Sequence, residues 1–162
     1  MPKINKRRKR ERKTDYAKRI KLLKGNTPRI VFRKTNKHII AQYISSKEAQ
    51  DKIEIGINSK ILIKYGWPEK ANLKSIPASY LTGILIGKII IKEKKPTPIV
   101  DLGMYTTKHK TKIYAFIKGL IDSGVKIKCE KETFPNEKTI TGENMKTKIS
   151  FKEIKSNIES KN

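Results

Sequence analysis

The 162-residue chain contains one cysteine, two histidines and one tryptophan. A lone thiol, Cys129, cannot close an internal disulfide. With only His38 and His109 beside it, the usual structural zinc sites are excluded. A reducing, cytoplasmic compartment is the natural reading. Acid is scarce as well: 15 Asp and Glu stand against 39 Lys and Arg, a formal net charge of +24. Self-repulsion of that size on one small domain is relieved by a polyanion, with nucleic acid the first choice and an anionic membrane surface the second. Apolar residues make up 36% and charged residues 33%, so a core forms only if part of the chain stays outside it. No apolar signal core follows Met1-Pro2-Lys3-Ile4-Asn5, so secretion is not expected. The most apolar stretch, residues 76–91, falls short of the roughly 20 residues that span a bilayer, and Lys88 interrupts it; it reads as a buried helix.

What is abundant is basic charge, and it is unevenly placed. Residues 1–24 hold 12 basic and 2 acidic residues. All seven arginines lie early, at Arg7, Arg8, Arg10, Arg12, Arg19, Arg29 and Arg33; every later positive charge is lysine. Arginine is a planar fork that grips phosphate with two hydrogen bonds and stacks on bases, whereas lysine is a point charge. Residues 7–33 therefore read as built for close nucleic-acid contact.

Residues 1–13 offer only Ile4 for burial and are expected to be without structure until a partner binds. Thr14 reads as an N-cap, and Tyr16, Ile20 and Leu23 then fall on one helical face, ended by Gly25-Asn26. Residues 29–33 and 38–44 are β-branched and aromatic runs, joined by a basic hairpin tip, Lys34-Thr35-Asn36-Lys37. Alternation of Ile53, Ile55 and Ile57 with Lys52, Glu54 and Gly56 predicts a third strand. A short helix over 60–65 and a second from Ser75 follow, with Gly83 and Gly87 placed to bring the latter close to the sheet. Residues 99–103 read as a strand reached by a helical crossover, hence parallel to a neighbour. A third helix opens near Thr111 and closes at Gly124; residues 145–162 read at best as a loosely held helix. The order predicts an α/β protein with a mixed sheet, a three-strand antiparallel meander plus a parallel strand packed with helices. This opens like the ribonuclease-H-like arrangement.

Nucleases of that arrangement need a carboxylate on the first strand to help hold two metal ions. The first strand here, Arg29-Ile30-Val31-Phe32-Arg33, has none, so Asp101 and Asp122 read as local caps or ion-pair partners and no catalytic or metal-binding set is expected. Two loops remain as candidate RNA contacts. In Arg33-Lys34-Thr35-Asn36-Lys37-His38, Asn and His can hydrogen-bond bases or the 2′-hydroxyl, against the alternative of a polar turn with Asn in a left-handed position. Tyr105-Thr106-Thr107-Lys108-His109-Lys110-Thr111-Lys112 sets three lysines and hydroxyls at a helix N-terminus, a phosphate site or else a solvated loop.

Several stretches then resemble one family. These are Lys13-Thr14-Asp15-Tyr16 with Arg19, Leu22, Leu23 and Lys24; Pro28-Arg29; Arg33 through Ile39; Lys64-Tyr65-Gly66-Trp67; and Ala78 through Gly83. Further on come Asp101-Leu102-Gly103, Ala115 through Gly124, Pro135-Asn136-Glu137 and Gly142-Glu143. In this order they resemble the 5S-rRNA-binding protein family of the ribosomal large subunit, the universal large-subunit protein eighteen family in its archaeal and eukaryotic form. The resemblance implies an α/β fold related to the ribonuclease-H-like arrangement. It also implies a structural, non-catalytic role in the central protuberance, packing 5S rRNA against large-subunit rRNA beside neighbouring ribosomal proteins.

The expected organisation is a basic tail over 1–13, one α/β RNA-binding domain over 14–144 and a polar extension over 145–162. The expected RNA contacts are Arg7, Arg8, Lys9, Arg10, Arg12, Lys13, Tyr16, Arg19, Lys24, Arg29, Arg33, Lys34, Asn36, Lys37, His38, Thr106, Thr107, Lys108, His109, Lys110 and Lys112. No cofactor, membrane or small-molecule substrate is expected. A sequence-independent RNA or nucleoid protein is the alternative, and a ribonuclease-H-like nuclease the remoter one.

Overall fold

The computed structural model describes residues 5–11, 13–145 and 147–161. Three strands form the antiparallel meander: β1 (Arg29–Lys34), β2 (Ile39–Lys47) and β3 (Gln50–Asn58). β4 (Ile99–Asp101) lies parallel to β1, which gives one mixed sheet in the order β3-β2-β1-β4, as the sequence predicts. Helices α1 (Arg7–Arg10) and α2 (Tyr16–Lys24) precede the sheet. α3 (Ile76–Lys92) makes the crossover that a parallel return requires, and α4 (Lys112–Asp122) follows β4. Ser75 caps α3 by accepting from the Ala78 amide, and Pro77 sits in the first turn, where the missing N–H has no partner to lose. α3 is buried from Pro77 through Gly87, the buried helix read from its apolar run. Among the described residues no helix is long and apolar enough to cross a membrane.

Pleating gives β1 two different faces. Ile30 and Phe32 share one with Ala41, Tyr43, Ile55 and Ile57, and this face takes α3 and α4. Phe32 meets Phe116 of α4 with 5.0 Å between ring centroids. Each such side chain removed from water contributes about 1.5–3 kcal/mol. Arg29, Val31 and Arg33 point to the opposite face, where Arg19, Arg29 and Arg33 meet Asp51 and Asp101.

Four local expectations are corrected. Gly83 and Gly87 do not bring α3 to the sheet; they bring it to α4, because a Cβ on Gly83 would overlap the Phe116 carbonyl and one on Gly87 the Ser123 hydroxyl. β2 and β3 run beyond their apolar cores into a turn at Glu48 and Ala49, both at positive φ (51° and 65°), which pairs Ser46 with Asp51. Within the tail, Arg7–Arg10 forms one helical turn, though it buries no side chain. The last helix, α6 (Phe151–Lys161), is not loosely held: Ile154 and Ile158 are buried in the main core, and the Asn157 amide donates to the Tyr65 carbonyl at 3.1 Å. α6 follows α5 (Glu137–Thr141), whose Ile140 joins the same core.

Candidate nucleic-acid interface

Arg7, Arg8, Lys9, Arg10 and Lys13 are all exposed. Arg7 and Lys13 flank Glu11 at 3.7 and 2.8 Å, exposed pairs worth little energy. Arg12 lies outside the described residues. Asp15, not Thr14, caps α2, accepting from the Ala17 and Lys18 amides; the Thr14 hydroxyl instead accepts from Arg8 Nε at 2.9 Å. The Lys6 ammonium sits 4.9 Å from the centroid of the Tyr16 ring. The helical stripe does not bury: α2 has no buried residue, and Ile20 is 52% exposed. Polar contacts tie α2 to the sheet instead. Lys18 Nζ donates to the Gly103 carbonyl at 3.3 Å, and Arg19 pairs with Asp51 at 2.9 Å. Lys24 is exposed at the end of the helix.

Arg29 is withdrawn from the expected RNA contacts. Its side chain is 2% exposed and spent inside the protein, on Asp51 at 2.7 Å, on Asp101 at 3.4 Å and on the Ser46 hydroxyl at 3.0 Å. Asp101 also accepts from the Gly103 amide at 2.8 Å and pairs with Arg33 at 3.5 Å, so Asp101-Leu102-Gly103 is an arginine anchor. Arg33 remains 39% exposed in its side chain, its guanidinium lying against Gly103, which has φ +61°. Arg33 thus presents one edge outward from a position set by Asp101 and the Phe32 carbonyl.

Asp51 is the point where α2, β1 and β3 meet. Burial alone would raise its pKa, but hydrogen bonds from Ser46 and Arg19 and the charges of Arg29 and Arg19 outweigh burial and hold it below the ordinary value. A depressed carboxyl contributes its stabilisation above its unfolded pKa, about 3.9, and loses it as pH falls through the lower folded value. α2 is therefore expected to stay docked down to about pH 4 and to release below it. Asp51→Asn should release it at neutral pH. Backbone resonances of Tyr16–Lys24 followed through a pH titration check both outcomes.

The two candidate loops come together through Tyr105. Its hydroxyl accepts from the Lys34 amide at 3.0 Å and donates to the Lys34 carbonyl at 2.8 Å. The hairpin tip is closed by Thr35, whose hydroxyl bridges the His38 amide and carbonyl; Asn36 is not left-handed. Lys34, Asn36 and Lys37 are exposed, while His38 is half-buried with its Nδ1 unpartnered. In the second loop Thr106, Thr107, Lys108, His109 and Lys110 are exposed. The His109 ring stands edge-on to Tyr114 at 5.7 Å. Not every amide there is open to a ligand: Lys110 donates to the Thr133 carbonyl at 2.8 Å. Burial, with Lys34 and Lys74 nearby, pulls the Lys112 pKa below its ordinary value.

Three clefts join these parts. One lies between the arm, α2 and Arg33; a second shares Lys13, Arg33, Gly103 and Met104 with it; a third shares Tyr105 with the second and ends at Lys112. The result is one strip from Arg8 to Lys112. Sequence reasoning missed the bond from Lys18 to Gly103, which holds α2, and Met104, which is 52% exposed on the strip. A basic run flags cations but carries no sign of which backbone carbonyl they reach.

Fold and strip define an α/β protein with one basic, acid-poor surface of the kind that lies against a polyanion. The profile of the family described as "Ribosomal large subunit proteins 60S L5, and 50S L18" matches residues 2–98. The chain is 41% identical over 143 residues to the large ribosomal subunit protein uL18 of Korarchaeum cryptofilum, covering 88% of this chain and 72% of that one. It is 35% identical over 139 residues to the protein of the same name from Methanoregula boonei, covering 86% and 79%. The chain belongs to this family of ribosomal large-subunit proteins, as the ordered sequence stretches indicate.

Proposed function

We propose that the chain binds 5S rRNA and attaches it to large-subunit rRNA in the central protuberance of the cytoplasmic ribosome. It does so as a structural constituent without catalysis, beside neighbouring ribosomal proteins. The observation that carries this reading is the continuous strip from Arg8 to Lys112, in which the two acids, Asp15 and Asp101, are engaged with α2 amides and with arginines. The arm supplies arginines that grip phosphate, and the two clasped loops supply hydroxyls, amides and lysines at a spacing set by Tyr105. Asp51 and Asp101 serve the fold by holding guanidinium groups.

Filter binding of the full chain to 5S rRNA across a salt series tests the reading. About six phosphate contacts should give log K against log salt a slope of about −4 to −5. Deleting residues 1–13 should flatten that slope by about three units, from four lost arginine contacts at roughly 0.7–0.9 each, while the core stays folded. Equal affinity for 5S rRNA and random duplex DNA would favour a sequence-independent binder instead.

A further inference from the structure

We propose that the groove between the end of β1 and the loop before α4 receives a single unstacked RNA base, with its phosphate on the lysines at the rim. This rests on the reading that the chain binds 5S rRNA, and it assigns that interface a pocket for a looped-out nucleotide. The groove holds about 350 Å³, within the range of sites that take small ligands. Its walls include the apolar side chains of Phe32, Ile76, Tyr105 and Ile113. Lys34, Lys108, Lys110 and Lys112 also line it, with the hydroxyl-bearing Thr106 and Thr111, and no acid does.

That combination distinguishes its occupant. A phosphate alone gains nothing from apolar walls, and an apolar peptide gains nothing from four lysines. A nucleotide presents a π-face and an anion a few ångströms apart, and an extruded base of a folded RNA offers both. A continuous duplex keeps its bases stacked and can offer the groove only phosphates. The platform is fixed in advance, because the Tyr105 hydroxyl is held by both backbone groups of Lys34 and its ring stands edge-on to Phe32 at 6.5 Å. Lys112 adds an independent sign. It is a partly buried cation with lysines around it, and among the described residues no carboxylate pairs with it. An anion at the rim would relieve that repulsion.

The test uses the isotopically labelled full chain with two probes, a short oligouridylate and a blunt RNA duplex, and the Tyr105→Leu variant. Expected is that the oligouridylate shifts the amide resonances of residues 105–113 while the duplex shifts mainly those of the arm and α2. Tyr105→Leu should weaken oligouridylate binding about tenfold, the size of one lost base stack, and weaken duplex binding clearly less, by the looser spacing of the loop lysines alone. Should Tyr105→Leu fail to fold, Lys112→Met replaces it and should weaken the single strand more than the duplex. Shifts confined to the arm, or equal weakening of both probes, would overturn the pocket. A parallel titration of the wild-type chain with 5S rRNA separates the two readings. Strong preference for 5S rRNA with an empty groove sinks only the pocket, whereas an occupied groove without that preference sinks the 5S assignment.

Discussion

Gly119→Ala is expected to cost about 3 kcal/mol or more, a large part of the 5–15 kcal/mol that holds such a domain together. A Cβ at Gly119 would overlap the Tyr80 carbonyl and crowd the Ile84 amide, and one at Gly83 would overlap the Phe116 carbonyl. The two glycines face each other across the α3–α4 crossing, each meeting backbone. No rotamer change relieves such an overlap, so the helices must separate. Phe116, Leu120, Leu81 and Ile84, all at 1% exposure or less, then lose contacts together. Gly83→Ala should do the same. Gly56→Ala is the control: its Cβ would meet only the Ile53 side chain at 3.6 Å, an ordinary contact, and the unfolded chain would lose freedom. That change should fall within about 0.5 kcal/mol of wild type or stabilise slightly. Urea midpoints of the three variants decide the matter.

Asp101→Ala carries the second large effect. Removing one partner of a buried ion pair costs about 3–5 kcal/mol because the other charge is left buried. Here Asp51 still faces Arg29, so the expected loss is about 3 kcal/mol, at the low end. The variant also frees the Gly103 amide and one contact of Arg33, so RNA affinity should fall along with stability. Arg33→Ala separates the two roles. With its side chain 39% exposed, it should weaken RNA binding while moving the unfolding midpoint far less than Asp101→Ala. Equal stability losses in both variants would contradict the division of labour between Arg29, which serves the fold, and Arg33, which serves both.

Arg29 marks the limit of reading charge from composition. Its position among seven early arginines made it look like a phosphate grip, and nothing adjacent in sequence says otherwise. Its carboxylate partners stand 22 and 72 residues away. Asp51 reaches it only because β2 and β3 continue past their isoleucines, through Ser45, Ser46 and Lys47 paired with Lys52, Asp51 and Gln50. Those residues have no β-branched apolar pattern, so their pairing was illegible. Gly83 and Gly87 were legible as close-approach positions but not as to what approaches, since spacing along one helix does not identify the neighbour. The end of the chain misled in another way: Ile154 and Ile158 are diluted by Lys, Ser, Asn and Glu, yet a spacing of four puts both on one face of α6.

By itself the sequence determined the order of the four strands and of α2, α3 and α4 among them, the α/β class, the family and the presence of a basic arm. These follow from local periodicity, caps and charge density, which act over a few residues. The tertiary structure decided which cations are spent inside, that α2 is held by Asp51 and Gly103 and not by its apolar stripe, and that Tyr105 clasps two loops into one groove. Each of those depends on hydrogen bonds and ion pairs between segments far apart in the chain. Burial then sorts the arginines. Arg29, enclosed by two carboxylates, stabilises the sheet, while Arg7, Arg8 and Arg10 stay exposed, where a phosphate can reach them.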